Sequence, residues 1–421
     1  MSERKHTLPV PAEAPSVFQP SLIAAILGPL PGLAVRFEMF HAPLVLETSL
    51  YAVAILGAAF LLAWAAEVAQ LDISQTLAIA VLALIAVLPE YAVDLFLAFR
   101  AGQGDEARRH LAIANMTGAN RLLIGIGWAA VVLIFWAKTK QRSVRLRKAQ
   151  RTDVGFLLFA TLWAFSIPIR GQLSLLDFAV LGTMFVAYIV RAARHEVEEP
   201  ELIGAAAAIG ALPRTPRRVT TVLLFVYSAV AILLVAEHFA DGLIEIGSQF
   251  GISTFFLIQW VAPLASEAPE MIIAILFTLR LKAQAGLGTL ISSKVNQWTL
   301  LVGTLPLVFS IGGGKAGPGS GFFNPMTMDS TQMEEVFLTA AQSLFAVAVI
   351  ANLSISRWEA VTLLVLFLGQ FGFAETAVRY GFAIAYVALG VGIFLFKRES
   401  RSALIVSLIQ VIRPGQHRGG T

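Results

Sequence analysis

The chain has no cysteine. That excludes disulfides, thiol catalysis, cysteine-ligated zinc and iron–sulfur clusters, and it leaves the redox compartment unmarked. Charge is nearly as scarce. Asp, Glu, Lys and Arg make up 14% of the 421 residues, against about 25% in soluble domains. Hydrophobic residues make up 57%, and mean hydropathy is +0.75. So few charges cannot coat a soluble surface, and most of this surface must face lipid. The six histidines form no His-x-x-x-His pair, which disfavours metallopeptidase chemistry. The net charge of +4 then reflects membrane topology and not nucleic-acid binding.

A crossing helix needs about 20 mostly apolar residues. Stretches free of Asp, Glu, Lys and Arg run over 48–66, 73–89, 122–137, 154–169, 178–190, 219–236, 246–266, 295–314, 336–356, 360–374 and 380–396. The expectation is an all-α polytopic membrane protein of about eleven transmembrane helices. Residues 21–37 are apolar but short and carry Pro29 and Pro31, so they read as an interfacial or re-entrant piece. Residues 1–20 read as disordered. The tail from 398 to 421 reads as cytoplasmic, ending in a short amphipathic helix.

Positive charges orient the chain. Lys138, Lys140, Arg142, Arg145, Arg147, Lys148 and Arg151 lie between the third and fourth spans. Arg191, Arg194, Arg214, Arg217 and Arg218 lie between the fifth and sixth. Both loops are expected in the cytoplasm. That puts the N-terminus outside and the tail with Lys397, Arg398 and Arg401 inside. The run Glu196, Glu198, Glu199 and Glu201 reads as a solvated face. The glycines of 312–329 are not a phosphate cradle, because no Gly-Lys-Ser/Thr follows.

The two halves repeat. Each has a Glu on its leading helix (Glu67, Glu237), then a Pro-Glu pair deep in the next span (Pro89-Glu90, Pro269-Glu270). Each continues into a helix of small and polar residues: Thr117-Gly118-Ala119-Asn120 in one half, Ser292-Ser293-Lys294 in the other. Five spans per half is odd, so the second half is inverted. Inverted repeats with polar, interrupted helices point to a secondary transporter with its site at the midplane. The expected organisation is a polar and interfacial segment over 1–44, a first repeat over 45–194 and a linker over 195–218. A second repeat over 219–374, an extra span over 375–397 and the tail follow.

Proline removes a helix hydrogen bond, so Pro89 is expected to free the carbonyl of Ile85, and Pro269 that of Ala265. In lipid a freed carbonyl needs a partner, and a hard cation takes carboxylate and carbonyl oxygens together. Glu90 and Glu270 are therefore the expected ion ligands. Asp94 lies one helical turn after Glu90, and Glu267 lies three residues before Glu270. Arg121 and Lys294 sit on the following helices as charge-tuning groups. The bland alternative pairs Arg121 with Asp94 and Lys294 with Glu267 as structural salt bridges. Asn120, Ser266, Ser293 and Gln297 offer amide or hydroxyl oxygens. For Asn115, Asn120, Asn296 and Gln297, hydrogen bonding between helices explains the amides equally well. Glu67 and Glu237 read as residues near helix ends.

These residues resemble the calcium/cation antiporter superfamily, which includes sodium/calcium exchangers. The likeness covers roughly 48–135 and 225–312 and the five-plus-five inverted layout. It implies that Glu90 and Glu270 are the two central acids. The helix start of the family resembles Gly118-Ala119-Asn120 and, less closely, Ser292-Ser293-Lys294. Where the family usually has Thr-Ser or Gly-Thr-Ser before Pro-Glu, this chain has Ala86 and Val87, then Ser266 and Glu267. The family's later Asn or Asp falls at Leu123 and Gln297. Hydroxyl ligands for Na⁺ are thus mostly missing, and Lys294 replaces an amide.

The reading is a cation antiporter of sodium/calcium exchanger type in a bacterial inner membrane. It would move Ca²⁺ or a related cation against Na⁺ or H⁺, with the leading span of each half moving against the core. No cofactor, no nucleic-acid partner and no enzymatic activity are expected; the partners are lipid and small inorganic cations. The alternatives are a sodium/proton-type exchanger on the same scaffold, a member that has lost transport, and a membrane-embedded hydrolase. The last lacks a nucleophile converging on the paired acids.

Overall fold

The computed structural model describes residues 19–73, 88–193, 202–315, 323–371, 373 and 375–412. Among them, nine helices are long and apolar enough to cross a membrane. In chain order the first half has α1 (Leu44–Ala69), α2 (Leu88–Gly102), α3 (Glu106–Thr139), α4 (Lys148–Arg170) and α5 (Leu175–Ala192). The second half has α6 (Arg214–Phe250), α7 (Thr254–Leu279), α8 (Ala283–Gly314), α9 (Ser330–Ile350) and α10 (Arg357–Phe371). An additional helix, α11 (Thr376–Phe396), follows, and then α12 (Arg398–Ile412). Of the two remaining expected spans, the shorter helix α10 covers most of 360–374, whereas 73–89 lies almost wholly outside the described residues, α2 beginning only at its end. Ile85, Ala86, Val87, Arg194 and the Glu196–Glu201 run lie outside the described residues.

Several boundaries differ from the sequence expectation. The stretch 246–266 is not one span. Helix α6 continues to Phe250 and stops at Gly251, whose φ of 67° suits glycine. Ser253 then caps the next helix by accepting the Phe256 N–H at 3.3 Å. Helices α3 and α8 begin well before the expected 122 and 295. The polar residues that precede the expected starts, Asn115, Thr117, Asn120 and Arg121 in α3 and Ser293 and Lys294 in α8, are buried in protein. Arg214, Arg217 and Arg218 open α6, and the described linker holds a short helix, Gly204–Gly210. Residues 21–37 form two short helices, Pro20–Leu27 and Pro29–Arg36, that dock on α1.

Two short ribbons fix the sense of the spans. β1 (Ser143–Arg145) pairs antiparallel with β4 (Ser354–Ser356), and β2 (Gln172–Leu173) with β3 (Met326–Thr327). Helix α4 leads from β1 to β2, whereas α9 leads from β3 to β4. These equivalent spans therefore cross in opposite senses, and the second half is inverted. The β1–β4 side carries the basic connectors and is called the basic face below.

Inside this frame α1 packs along α6, α2 along α8, and α9 along α11. One apolar core runs through both halves. At the basic face, Asp72 just beyond α1 accepts from Arg217 at 2.7 Å and from Arg218 at 2.9 Å. Together these bonds tie α1 to the start of α6. The Arg217 hydrogen bond, helped by Arg218, holds the Asp72 carboxyl at about 2, below its usual 3.8. A group held below its unfolded value stabilises the fold at higher pH. This contribution is complete above about pH 4, falls to about half near pH 3, and is lost as pH drops through about 2. We therefore expect Asp72→Asn to lower the melting temperature at neutral pH, with the gap to wild type closing in acid. Thermal melts of detergent-solubilised protein across this range check it.

Candidate ion site

The central acids lie where the two halves meet. Glu90 stands on α2 beside Pro89, and Glu270 on α7 beside Pro269. Helix α7 runs unbroken through Pro269, so the expected interruption does not occur there. Pro269 still offers no N–H to the Ala265 carbonyl. The regular helix is relaxed elsewhere. Short π-helical turns follow the polar segments at Leu123–Trp128 in α3 and Gln297–Leu301 in α8, and Leu257–Val261 opens α7. Such turns rotate side chains out of the usual register and occur often at functional sites. Gly118 lets α3 touch α7 directly: a Cβ there would fall 1.8 Å from the Gln259 carbonyl oxygen.

Glu90, Glu267 and Glu270 share one electrostatic neighbourhood, with Asp94 next to Glu90. All four are buried. Both carboxylate oxygens of Glu90 lack a hydrogen-bond partner, as does one oxygen each of Asp94, Glu267 and Glu270. A buried carboxylate left this way is costly unless a cation or proton joins it. The two flanking acids are held alike. Asn115 Nδ2 donates to Asp94 at 2.8 Å in the first half, and Gln297 Nε2 donates to Glu267 in the second.

The other expected oxygens divide. Ser293 Oγ and Gln297 Oε1 are buried without partners, and Ser293 lies beside Glu270. Ser266 lies beside Glu90, though its hydroxyl is in reach of the Pro263 carbonyl at 3.3 Å. Asn120 is already engaged. Its Oδ1 accepts from Lys294 at 2.6 Å, and its Nδ2 donates to the Met116 carbonyl at 2.8 Å. Among the described residues no three carboxylate or imidazole groups converge tightly enough to hold a metal ion by themselves. A cation here therefore needs carbonyl, amide or hydroxyl oxygens as well.

The salt bridges Arg121–Asp94 and Lys294–Glu267 do not form. Lys294 reaches across to Asn120 and lies 4.2 Å from the centre of the Trp298 ring. It stays within the electrostatic reach of Glu267. Arg121 turns away and pairs with Glu335 on α9. The local alignment explains the difference. Matching Ile124-Gly125-Ile126-Gly127 with Leu300-Leu301-Val302-Gly303 sets Arg121 opposite Gln297 and Gly118 opposite Lys294. Arg121 and Lys294 are not equivalents, and only Lys294 stays with the acids.

Glu335 is the main residue missing from the sequence reading. It is fully buried and accepts from Arg121, from Arg379 and from Gln259 Nε2, the last at 2.8 Å. This network borders a cavity of about 380 Å³, lined by Arg121, Gln259, Trp260, Gln370, Phe371 and Arg379 among others, at the side away from the basic face. Glu334-Glu335 stands at the edge of the apolar window from 336, where a charge reads as a span end. Ser292 also has a different role, turning toward Asp153, which accepts from Tyr188 at 2.7 Å.

An all-helical membrane protein with two inverted halves, and paired acids at equivalent positions between them, has the architecture of a secondary transporter. The sequence pattern of the sodium/calcium exchanger protein family matches residues 43–193 and 220–374, and the chain belongs to that family. It is a secondary cation antiporter. It is 41% identical to the protein in the crystal structure of the H⁺/Ca²⁺ exchanger CAX, covering 93% of this chain and 97% of that one, with a TM-score of 0.87. Its fold is also similar to native YfkE, at 17% identity, 90% and 100% coverage and a TM-score of 0.57. The sodium-calcium exchanger NCX_Mj is similar at 18% identity, 79% and 99% coverage and a TM-score of 0.52. Among curated proteins nothing matches.

The Arg121–Glu335 pair generates a stability prediction. Removing one partner of a buried ion pair typically costs about 3–5 kcal/mol, whereas replacing both by apolar residues is often close to neutral. Glu335→Gln is expected to lower thermal stability strongly. Arg121→Met combined with Glu335→Leu is expected to recover part of the loss, Arg379 keeping only its longer pairing with Glu334 at 3.6 Å. Melting of the purified variants measures both.

Proposed function

We propose that this antiporter exchanges Ca²⁺ for H⁺, with Glu90 and Glu270 as the central ligands of the transported ion. The observation that carries the reading is the set of buried, partnerless carboxylate oxygens on Glu90, Glu267 and Glu270, contributed by both halves. Such oxygens are satisfied either by a divalent cation or by protons, so each displaces the other and exchange follows. The 41% identical H⁺/Ca²⁺ exchanger supports Ca²⁺ as cargo and H⁺ as the coupling ion.

In this mechanism Glu90 and Glu270 grip the cation from opposite sides, and Glu267 and Asp94 complete the negative field. Ser266, Ser293, Asn120 and Gln297 surround them, Ser293 and Gln297 with oxygens free to bind. Lys294 supplies a fixed positive charge beside the acids. That charge stands in for a bound monovalent cation and removes the need for Na⁺. The antiporter works without a resident cofactor, in a bacterial inner membrane with the basic face toward the cytoplasm.

Proteoliposomes test this directly. With a pH gradient imposed, labelled Ca²⁺ is expected to move in wild type and to fall to background in Glu90→Gln and Glu270→Gln. An Na⁺ gradient alone is expected to move none. Ca²⁺ flux under Na⁺ alone would transfer the coupling to Na⁺, and no flux under either gradient would end the Ca²⁺ assignment.

A further inference from the structure

The repeat carries a second charged pair that the ion site does not use. Arg100 follows Glu90 by ten residues, and Arg280 follows Glu270 by ten. Each half also has its glutamate on the leading helix, Glu67 on α1 and Glu237 on α6. In the structure these four are not used alike. Away from the basic face, Glu237 of α6 holds Arg100 of α2 at 2.7 Å. A neighbouring pair, Arg108–Asp241 at 2.6 Å, adds to the same seam between α6 and α3. The α1–α6 pair is thus fastened to the core at that end.

At the basic face the equivalent groups stand apart. One carboxylate oxygen of Glu67 is buried without a partner. Arg280 is exposed just past the end of α7 and makes no ion pair among the described residues. The helices that carry them are already in contact. Trp64 and Val68, which flank Glu67 on α1, share an apolar cluster with Ile273 and Phe277 of α7, and Phe277 is one turn before Arg280. The ion pair Asp72–Arg217 at this face joins α1 to α6 and not to the core.

We propose that Glu67 and Arg280 are the inverted counterpart of Glu237 and Arg100, and that the two ion pairs alternate. When α1 and α6 shift to close the basic face, Glu67 takes Arg280 as Glu237 releases Arg100. The repeat demands this symmetry: a two-state protein built from inverted halves reaches its second state by exchanging the roles of the halves. All four residues are positioning residues. The ion does not touch them, and they set which face is closed. The inference rests on the antiport reading above, but not on the identity of the ions.

The absence of native cysteine makes the test clean. Glu67→Cys with Arg280→Cys, treated with a short bifunctional thiol reagent, is expected to cross-link, to stop exchange and to recover on reduction. Charge exchange supplies the second arm. Arg280→Glu is expected to slow exchange about tenfold, and adding Glu67→Arg to return it to within about threefold of wild type, as coupled partners do. The cross-linking arm needs neither buried charge nor a transported ion, so it survives misfolding of a charge variant or a wrong ion assignment. A cross-link in the cysteine pair, with no pH-driven Ca²⁺ flux in wild type, would retain the alternating pairs and refute the Ca²⁺/H⁺ reading. Normal Ca²⁺ flux with neither cross-link nor charge rescue would overturn the alternating pairs.

Discussion

The structure is arranged around carboxylates buried in its core. An ionised acid inside an apolar core is expensive unless countercharge and hydrogen bonds surround it. The fold meets that demand in three ways. Amides hold one edge of the flanking acids, Asn115 on Asp94 and Gln297 on Glu267. One lysine, Lys294, is kept near the acids but tied to Asn120. The oxygens left over are those an ion would complete. The π-helical turns in α3, α7 and α8, and the N–H that Pro269 withholds from its helix, are the backbone's share of the same arrangement.

A second buried charge cluster, Arg121 and Arg379 with Glu334 and Glu335, is internally balanced. Its contrast with the ion site is informative. Two guanidinium groups share the Glu335 carboxylate, and Arg121 also lies 5.1 Å from the Trp260 ring centre. Such a cluster has little to offer a cation. It fixes α3, α9 and α11 to one another, while the poorly satisfied acids lie on α2 and α7. The two clusters are built on different helices, and α3 borders both through Arg121 on one side and Asn115 and Asn120 on the other.

Much of this was legible in the sequence. The spans, the inversion and the paired acids follow from hydropathy, an odd span count and the twice-occurring Pro-Glu, because each is a local or repeated signal. The partner of Arg121 was not legible. Asp94 was nearer in sequence and chemically equivalent, while Glu335 lies 214 positions away at what looked like the edge of a span. The ends of α3, α6 and α8 were misplaced for a related reason. Stopping a span at the first charge assumes that charges face water, and here Lys294, Arg121 and Glu335 face other side chains. The offset between Arg121 and Lys294 needed the alignment beyond the polar segment, where small residues carry the register.

The two ribbons have a consequence for motion. β1–β4 clips the connectors at the basic face, and β2–β3 clips those at the other. Helices α4 and α9 are therefore joined at both ends, like the two long sides of a closed hoop. A hoop fastened at both ends cannot slide along itself, so neither span can shift along the membrane normal without the other. Whatever travels during exchange has to travel against this hoop and not within it. The α1–α6 pair, which neither ribbon clips, is held to the core on one side by the ion pairs Glu237–Arg100 and Asp241–Arg108, which can break and re-form.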